Sequence, residues 1–257
     1  MDQLLFIAAG LGAGALGAML GIGGGVLLVP VLVLGFGISL REAVPASLLC
    51  VVANSCAAAA SYVEQHLSDV RLALVLEVAT VSGAIAGGLL AAVVAPWAIA
   101  LAFGAFTLYV GIQMVVRPRR VQTDEVQRYV PQNYALGIGG SFLAGGLSAL
   151  LGVGGGPLKV PLMSAVMKVP FKVATATSNL MIGVTGAASV AMYAWRGQVK
   201  LGLVAPLVVG VLLGARIGAR LMVATPTRVL TRLFGILLLL IALQMLLEGG
   251  SAAWRNR

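Results

Sequence analysis

At 257 residues, with 60% hydrophobic and only 10% charged side chains and a mean hydropathy of +1.04, the chain lacks the polar side chains needed to coat a water-soluble globule. Its net charge of +9 does not indicate a nucleic-acid binder, because the basic residues are scattered among short loops and helix ends, where the positive-inside rule and anionic headgroups select them. The apolar runs do not alternate with polar residues, which excludes a transmembrane barrel and leaves an all-α polytopic membrane protein.

In chain order the first apolar segment is Leu4 to Leu20. No basic region precedes it and no cleavage site follows, so it reads as a membrane segment, not a signal peptide. A glycine break at 21–25 separates it from a second apolar piece, Val26 to Ile38. As one straight helix this stretch would be about 50 Å long, too long for a hydrocarbon core of roughly 30 Å. The chain must fold back or kink, and a hairpin with the glycines at its tip is the preferred reading. Spans are expected near Ala43–Tyr62, Leu72–Val94 and Trp97–Val116. The polar loop 117–133 follows, with four arginines that mark it as a cytoplasmic linker. The second half repeats the plan: Tyr134–Leu151, a break at 152–156, Pro157–Met167, and spans near Val173–Trp195, Leu201–Val223 and Val229–Leu247.

The break is one phrase said twice. Residues 21–30 read GIGGGVLLVP and residues 152–161 read GVGGGPLKVP, an offset of 131. At that offset Ser47 meets Ser178, Tyr62 meets Tyr193, Phe103-Gly104 meets Phe234-Gly235 and Gln113-Met114 meets Gln244-Met245. The domains expected are therefore two duplicated helical repeats, 1–116 and 134–257, joined by the linker. A hairpin at each break gives an odd number of crossings per half and inverted repeats; a single kinked span gives four crossings and parallel ones. Residues 1–130 hold six basic and seven acidic residues and 131–257 hold eleven and one, a bias that decides neither topology.

Three consecutive glycines unwind a helix, since each costs about 1 kcal/mol relative to alanine. The backbone N–H groups freed near Gly23, Gly24 and Gly25, and near Gly154, Gly155 and Gly156, suit an anion. Two such ends are expected to meet near the midplane; the competing role is close helix packing. The next helix of each repeat supplies small polar groups, of which Ser47, Asn54, Thr177, Ser178 and Asn179 are the candidate substrate ligands. They donate hydrogen bonds without burying a charge, or else they serve helix–helix bonding, worth about 0.6 kcal/mol each. Lys159 is costly in an apolar segment and either attracts the anion or snorkels to an interface. The extra polarity of Lys159 and Thr177–Asn179 makes the second phrase the more sensitive one.

Glu77 is the one acid well inside a span, suited to carrying a proton or pairing with Arg216 or Arg220. Those arginines share a helix with Gly210, Gly214 and Gly218, whose spacing marks a close-packing face. His66 lies in a polar loop, and Cys50 and Cys56 read as small hydrophobes. The GxGxxG at 12–17 has no βαβ context, and a single histidine leaves no triad or metal set, so no catalytic residue, cofactor or metal is expected.

The doubled GxGGGxxxxP, with Pro45-Ala46-Ser47-Leu48 and Ala176-Thr177-Ser178-Asn179 about fifteen residues on, resembles the TauE/SafE sulfite-exporter family over nearly the whole chain. The resemblance implies a bacterial inner-membrane permease for sulfite, sulfonates or related organosulfur anions. The departures, Pro45 against Ala176 and Leu48 against Asn179, imply unequal halves. The expected activity is secondary transport of a small anion by alternating access, with a passive anion channel or a membrane scaffold as alternatives. The expected partners are that anion and the lipid bilayer, with no nucleic acid, and homo-oligomerisation stays open.

Overall fold

The computed structural model describes residues 2–90, 96–116, 129–151, 156–195 and 201–255. Among them there is no strand. The helices are α1 (Asp2–Leu20), α2 (Gly25–Pro30), α3 (Leu40–Glu64), α4 (Val70–Leu90), α5 (Pro96–Val116), α6 (Tyr134–Leu151), α7 (Gly156–Pro161), α8 (Phe171–Trp195), α9 (Leu201–Ala224) and α10 (Thr227–Arg255). Long apolar stretches over Gln3–Leu20, Glu42–Glu64, Phe171–Trp195, Gly202–Ala224 and Thr227–Leu247 are enough to cross a membrane by length and composition. The chain is thus a multi-pass, all-helical membrane protein. The arginines expected to orient the linker, at 117, 119, 120 and 128, lie outside the described residues.

Each short helix after a glycine phrase ends in a proline and passes into a π-helical turn, Val31–Gly35 after α2 and Leu162–Val166 after α7. Proline has no N–H, so a carbonyl one turn earlier loses its partner and the ladder resets to wider spacing. Met167 N–H accordingly reaches back five residues to Leu162 O at 3.1 Å. The turns close identically, by Ile38 N–H to Leu32 O at 3.0 Å and Val169 N–H to Met163 O at 3.0 Å. These pairs differ by the offset of the glycine phrases, as do the bounds of α2 and α7 and of α3 and α8.

Contacts divide the chain into two compact units assembled from both halves of the sequence: 1–77 with 172–224, and 78–171 with 225–257. In the first unit α1 reverses at the glycine phrase. A Cβ on Gly24 would stand 2.7 Å from Ala13 O, whereas a straight helix would carry residue 24 roughly 16 Å past residue 13. The returning segment brings Phe36 back onto Phe6, ring centroids 4.7 Å apart. In the second unit the π-helical turn after α7 likewise returns along α6: Asn133 Nδ2 donates to Val166 O at 3.0 Å, and Gln132 N–H to Met167 O at 2.9 Å. Both segments are hairpins, as preferred from length alone.

Glycine seams set the packing inside each unit. In the first, Cβ atoms on Gly210, Gly214 and Gly218 of α9 would run into the carbonyls of Ile7, Leu11 and Ala15 of α1, so the spacing-of-four face is a packing seam. Arg216 and Arg220 lie on the exposed side of α9. In the second unit the same seam recurs between α4 and α6, where Gly83 meets Phe142 O and Gly145 meets Thr80 O. The partners of the first-unit equivalents, Gly214 with Leu11 and Gly14 with Val211, are these positions shifted by the phrase offset in opposite senses. Two further pairs obey the same exchange. On α5 and α10 a Cβ at Gly104 would meet Leu246 at 2.9 Å, and one at Gly235 would meet Val115 at 2.8 Å. On α3 and α8, Gly183 abuts Ser55 and Gly186 abuts Val52.

Candidate functional site

The first glycine phrase forms a closed, side-chain-supported turn in the first unit. Helix α1 ends in a Schellman motif: Ile22 N–H bonds Gly17 O at 3.0 Å and Gly21 N–H bonds Ala18 O at 3.3 Å, with Gly21 left-handed at φ 75°. Gly23, at φ 74°, is held between Val51 of α3 and Ile182 of α8, where a Cβ would stand 2.9 and 3.1 Å from their methyl groups. Gly24, at φ 75°, caps α2.

Carbonyls at this reversal also accept hydrogen bonds from side chains of α3 and α8. Ser178 Oγ donates to Gly21 O at 2.7 Å. Ala18 O accepts both Asn179 Nδ2 and the Tyr62 hydroxyl, each at 2.9 Å, and Ser47 Oγ donates to Gly25 O at 3.2 Å. Asn179 Nδ2 also reaches Thr175 O at 3.1 Å, and Ser55 Oγ donates to Asn179 O across the α3–α8 crossing. Thr177 Oγ1 accepts Asp69 N–H at 3.1 Å, while Asp69 Oδ1 accepts Leu72 N–H at 2.9 Å and so starts α4. All of these polar side chains are buried except Asp69, and an unbonded polar group in a membrane interior costs several kcal/mol, so these bonds support the turn.

The structure therefore gathers Gly23, Gly24, Gly25, Ser47, Ser178 and Asn179 around one turn. The hydroxyl protons of Ser47 and Ser178 and an amide proton of Asn179 go to the turn's own carbonyls. The Thr177–Asn179 polarity expected beside the second phrase lies against the first, because Ser178 and Asn179 reach Gly21 and Ala18. Gly154 and Gly155 lie outside the described residues. Gly156 opens α7, and Lys159 on that helix is fully buried in the second unit, which removes the snorkelling alternative.

Hydrogen-bonding capacity remains in the first unit. Asn54 is fully buried with neither amide atom bonded to protein; Thr175 Oγ1 and Asn179 Oδ1 are in the same condition. Asn54 was legible as a candidate. Tyr62 was not, although its recurrence at Tyr193 was the available signal, and Thr175 was lost among other hydroxyls. Glu77 Oε1 accepts a hydrogen bond from Thr185 Oγ1 at 2.5 Å. Cys50 is buried, Cys56 is exposed, and both are free thiols. No group of three or more His, Cys, Asp or Glu placed to hold a metal occurs among the described residues.

Residues 6–245 match the family model described as "Sulfite exporter TauE/SafE". The chain is also similar to "Probable membrane transporter protein YunE" of Bacillus subtilis (strain 168), 26% identical over 270 residues, covering 97% of this chain and 99% of that protein. No solved structure matches the chain.

Proposed function

Because the chain belongs to the TauE/SafE sulfite exporter family of membrane transporters, we propose that it is a secondary permease for a small anion, with sulfite, sulfonates and related organosulfur anions as its substrate class. The observation that carries this reading is the unused polarity inside a membrane-spanning unit: Asn54 Nδ2 and the Thr175 hydroxyl, both fully buried, have no protein acceptor. Buried donors are almost always satisfied, and an oxyanion offers the acceptors they lack. Small neutral donors also allow release, since they attract an anion without trapping it.

In this reading Ser47, Ser178, Asn179 and Tyr62 shape the first turn, and Asn54 and Thr175 contact substrate. The second phrase, Gly154–Gly156 with Lys159, is the second half's counterpart. The recurrent seams and closures support duplicated halves, and the hairpins support their inversion. Such halves suit alternating access in a bacterial inner membrane, with no enzymatic step.

Purified protein in liposomes preloaded with unlabelled sulfite or a sulfonate is expected to draw in labelled substrate by counterflow and to saturate. Flux that never saturates and shows no counterflow would make the protein a channel. No flux above empty vesicles sinks the permease reading.

A further inference from the structure

A carboxyl group buried in a membrane-spanning unit is expensive, and here the fold itself does not require one. Glu77 is 6% exposed on α4. The exchange that maps the α1–α9 seam onto the α4–α6 seam maps Glu77 onto Val208 and its partner Thr185 onto Asn54. The equivalent place in the other copy of this packing is thus filled by a valine. An acid retained where an aliphatic side chain satisfies the packing points to chemistry.

The hydrogen bonds around Thr185 have two consistent states. Its hydroxyl lies 2.5 Å from Glu77 Oε1 and 3.2 Å from Met181 O, yet it carries one proton. When Glu77 is a carboxylate, Thr185 donates to it. When Glu77 is protonated, the carboxylic acid donates to Thr185 Oγ1, and the threonine proton turns to Met181 O. The bond between Glu77 and Thr185 is kept in both states, with the donor exchanged.

Asp69 caps α4, Lys172 Nζ donates to Val223 O at 2.6 Å, and Arg216 and Arg220 are exposed on α9. Glu64, His66 and Arg71 are exposed near helix ends, and Glu42 sits in the first turn of α3. Helix α8, which presents Thr185, has Lys172 as its only charged residue. Lys159 in the second unit is the other buried charged side chain among the described residues.

We propose that Glu77 and Thr185 form the proton-binding site that couples transport, an inference that rests on the permease reading. Thr185 follows Asn179 by six residues on α8, roughly 9 Å along the helix. An anion held near Asn179 and Thr175 therefore lies one to three turns along the same helix, and like-charge repulsion between the anion and a carboxylate favours the proton and the anion travelling in the same direction.

Two measurements test this. Infrared difference spectra of the reconstituted protein between acidic and alkaline buffer are expected to show the C=O stretch of a buried carboxylic acid. That band is expected to vanish in Glu77→Gln and to shift in Thr185→Val; a band unchanged in Glu77→Gln overturns the assignment. In proteoliposomes with an alkaline interior, wild type is expected to accumulate labelled sulfite, whereas Glu77→Gln loses accumulation and retains counterflow. Retained counterflow certifies a folded variant, and accumulation equal to wild type overturns the proposal. Absence of counterflow in wild type defeats the permease reading alone, and the infrared comparison still decides the proton site.

Discussion

Ser178 Oγ donates to Gly21 O at 2.7 Å, joining residues 157 positions apart in one buried bond. It fastens α8 to the turn that ends α1. Ser178→Ala would leave that carbonyl without its side-chain donor, at a cost of about 1–3 kcal/mol. Ser47→Ala breaks a longer bond, 3.2 Å to Gly25 O, and is expected to cost about 0.5–1 kcal/mol. Thermal unfolding of the two variants in detergent should rank them in that order; equal midpoints would remove Ser178 from the support of the turn.

Asn54 separates stability from function. Neither of its amide atoms has a protein partner, so Asn54→Leu is expected to raise stability by about 1–3 kcal/mol. Counterflow of sulfite or sulfonate should fall at least about tenfold, the loss of one charge-assisted hydrogen bond. Unchanged counterflow with raised stability would make Asn54 a packing defect without a role in transport.

The glycine seams predict opposite outcomes for the same substitution. Gly12 on α1 has open space at its Cβ, so Gly12→Ala should stabilise by up to about 1 kcal/mol through helix propensity. Gly214 faces Leu11 O with no room, so Gly214→Ala should destabilise by about 1–3 kcal/mol by forcing α9 from α1. Melting temperatures of the two proteins are the check.

Lys168 is left-handed at φ 61° in the position equivalent to Gly37, itself at φ 65°. A side chain there costs about 1–2 kcal/mol, partly offset by the smaller entropy loss of a non-glycine residue. Lys168→Gly is therefore expected to be neutral or to stabilise by up to about 1 kcal/mol, although it gives up the Nζ bond to Ala165 O. Gly37→Ala is expected to destabilise by about 1 kcal/mol. Chemical denaturation of both variants would show the difference in sign.

The amino-acid sequence by itself determined the apolar spans, the two glycine phrases and the offset between them. It also required a break between Leu4 and Ile38, a stretch too long to cross once as a straight helix, and left a kink and a reversal as the two ways to make it. Hydropathy set these features locally, through segment length and helix-breaking residues. Which helices pair was decided only in three dimensions. The spans are apolar on every face, so no amphipathic stripe says which side meets protein and which meets lipid; Gly210, Gly214 and Gly218 announced a packing face without naming α1 as its partner. For the same reason the two sequence halves did not announce that their helices would share compact units. Ser178 was legible as a candidate by its match to Ser47, but its bond to Gly21 was not, since a carbonyl's need for a donor arises only after the chain has turned. The Glu77–Thr185 pair joins residues 108 apart, and only the folded packing brings that acid to a hydroxyl.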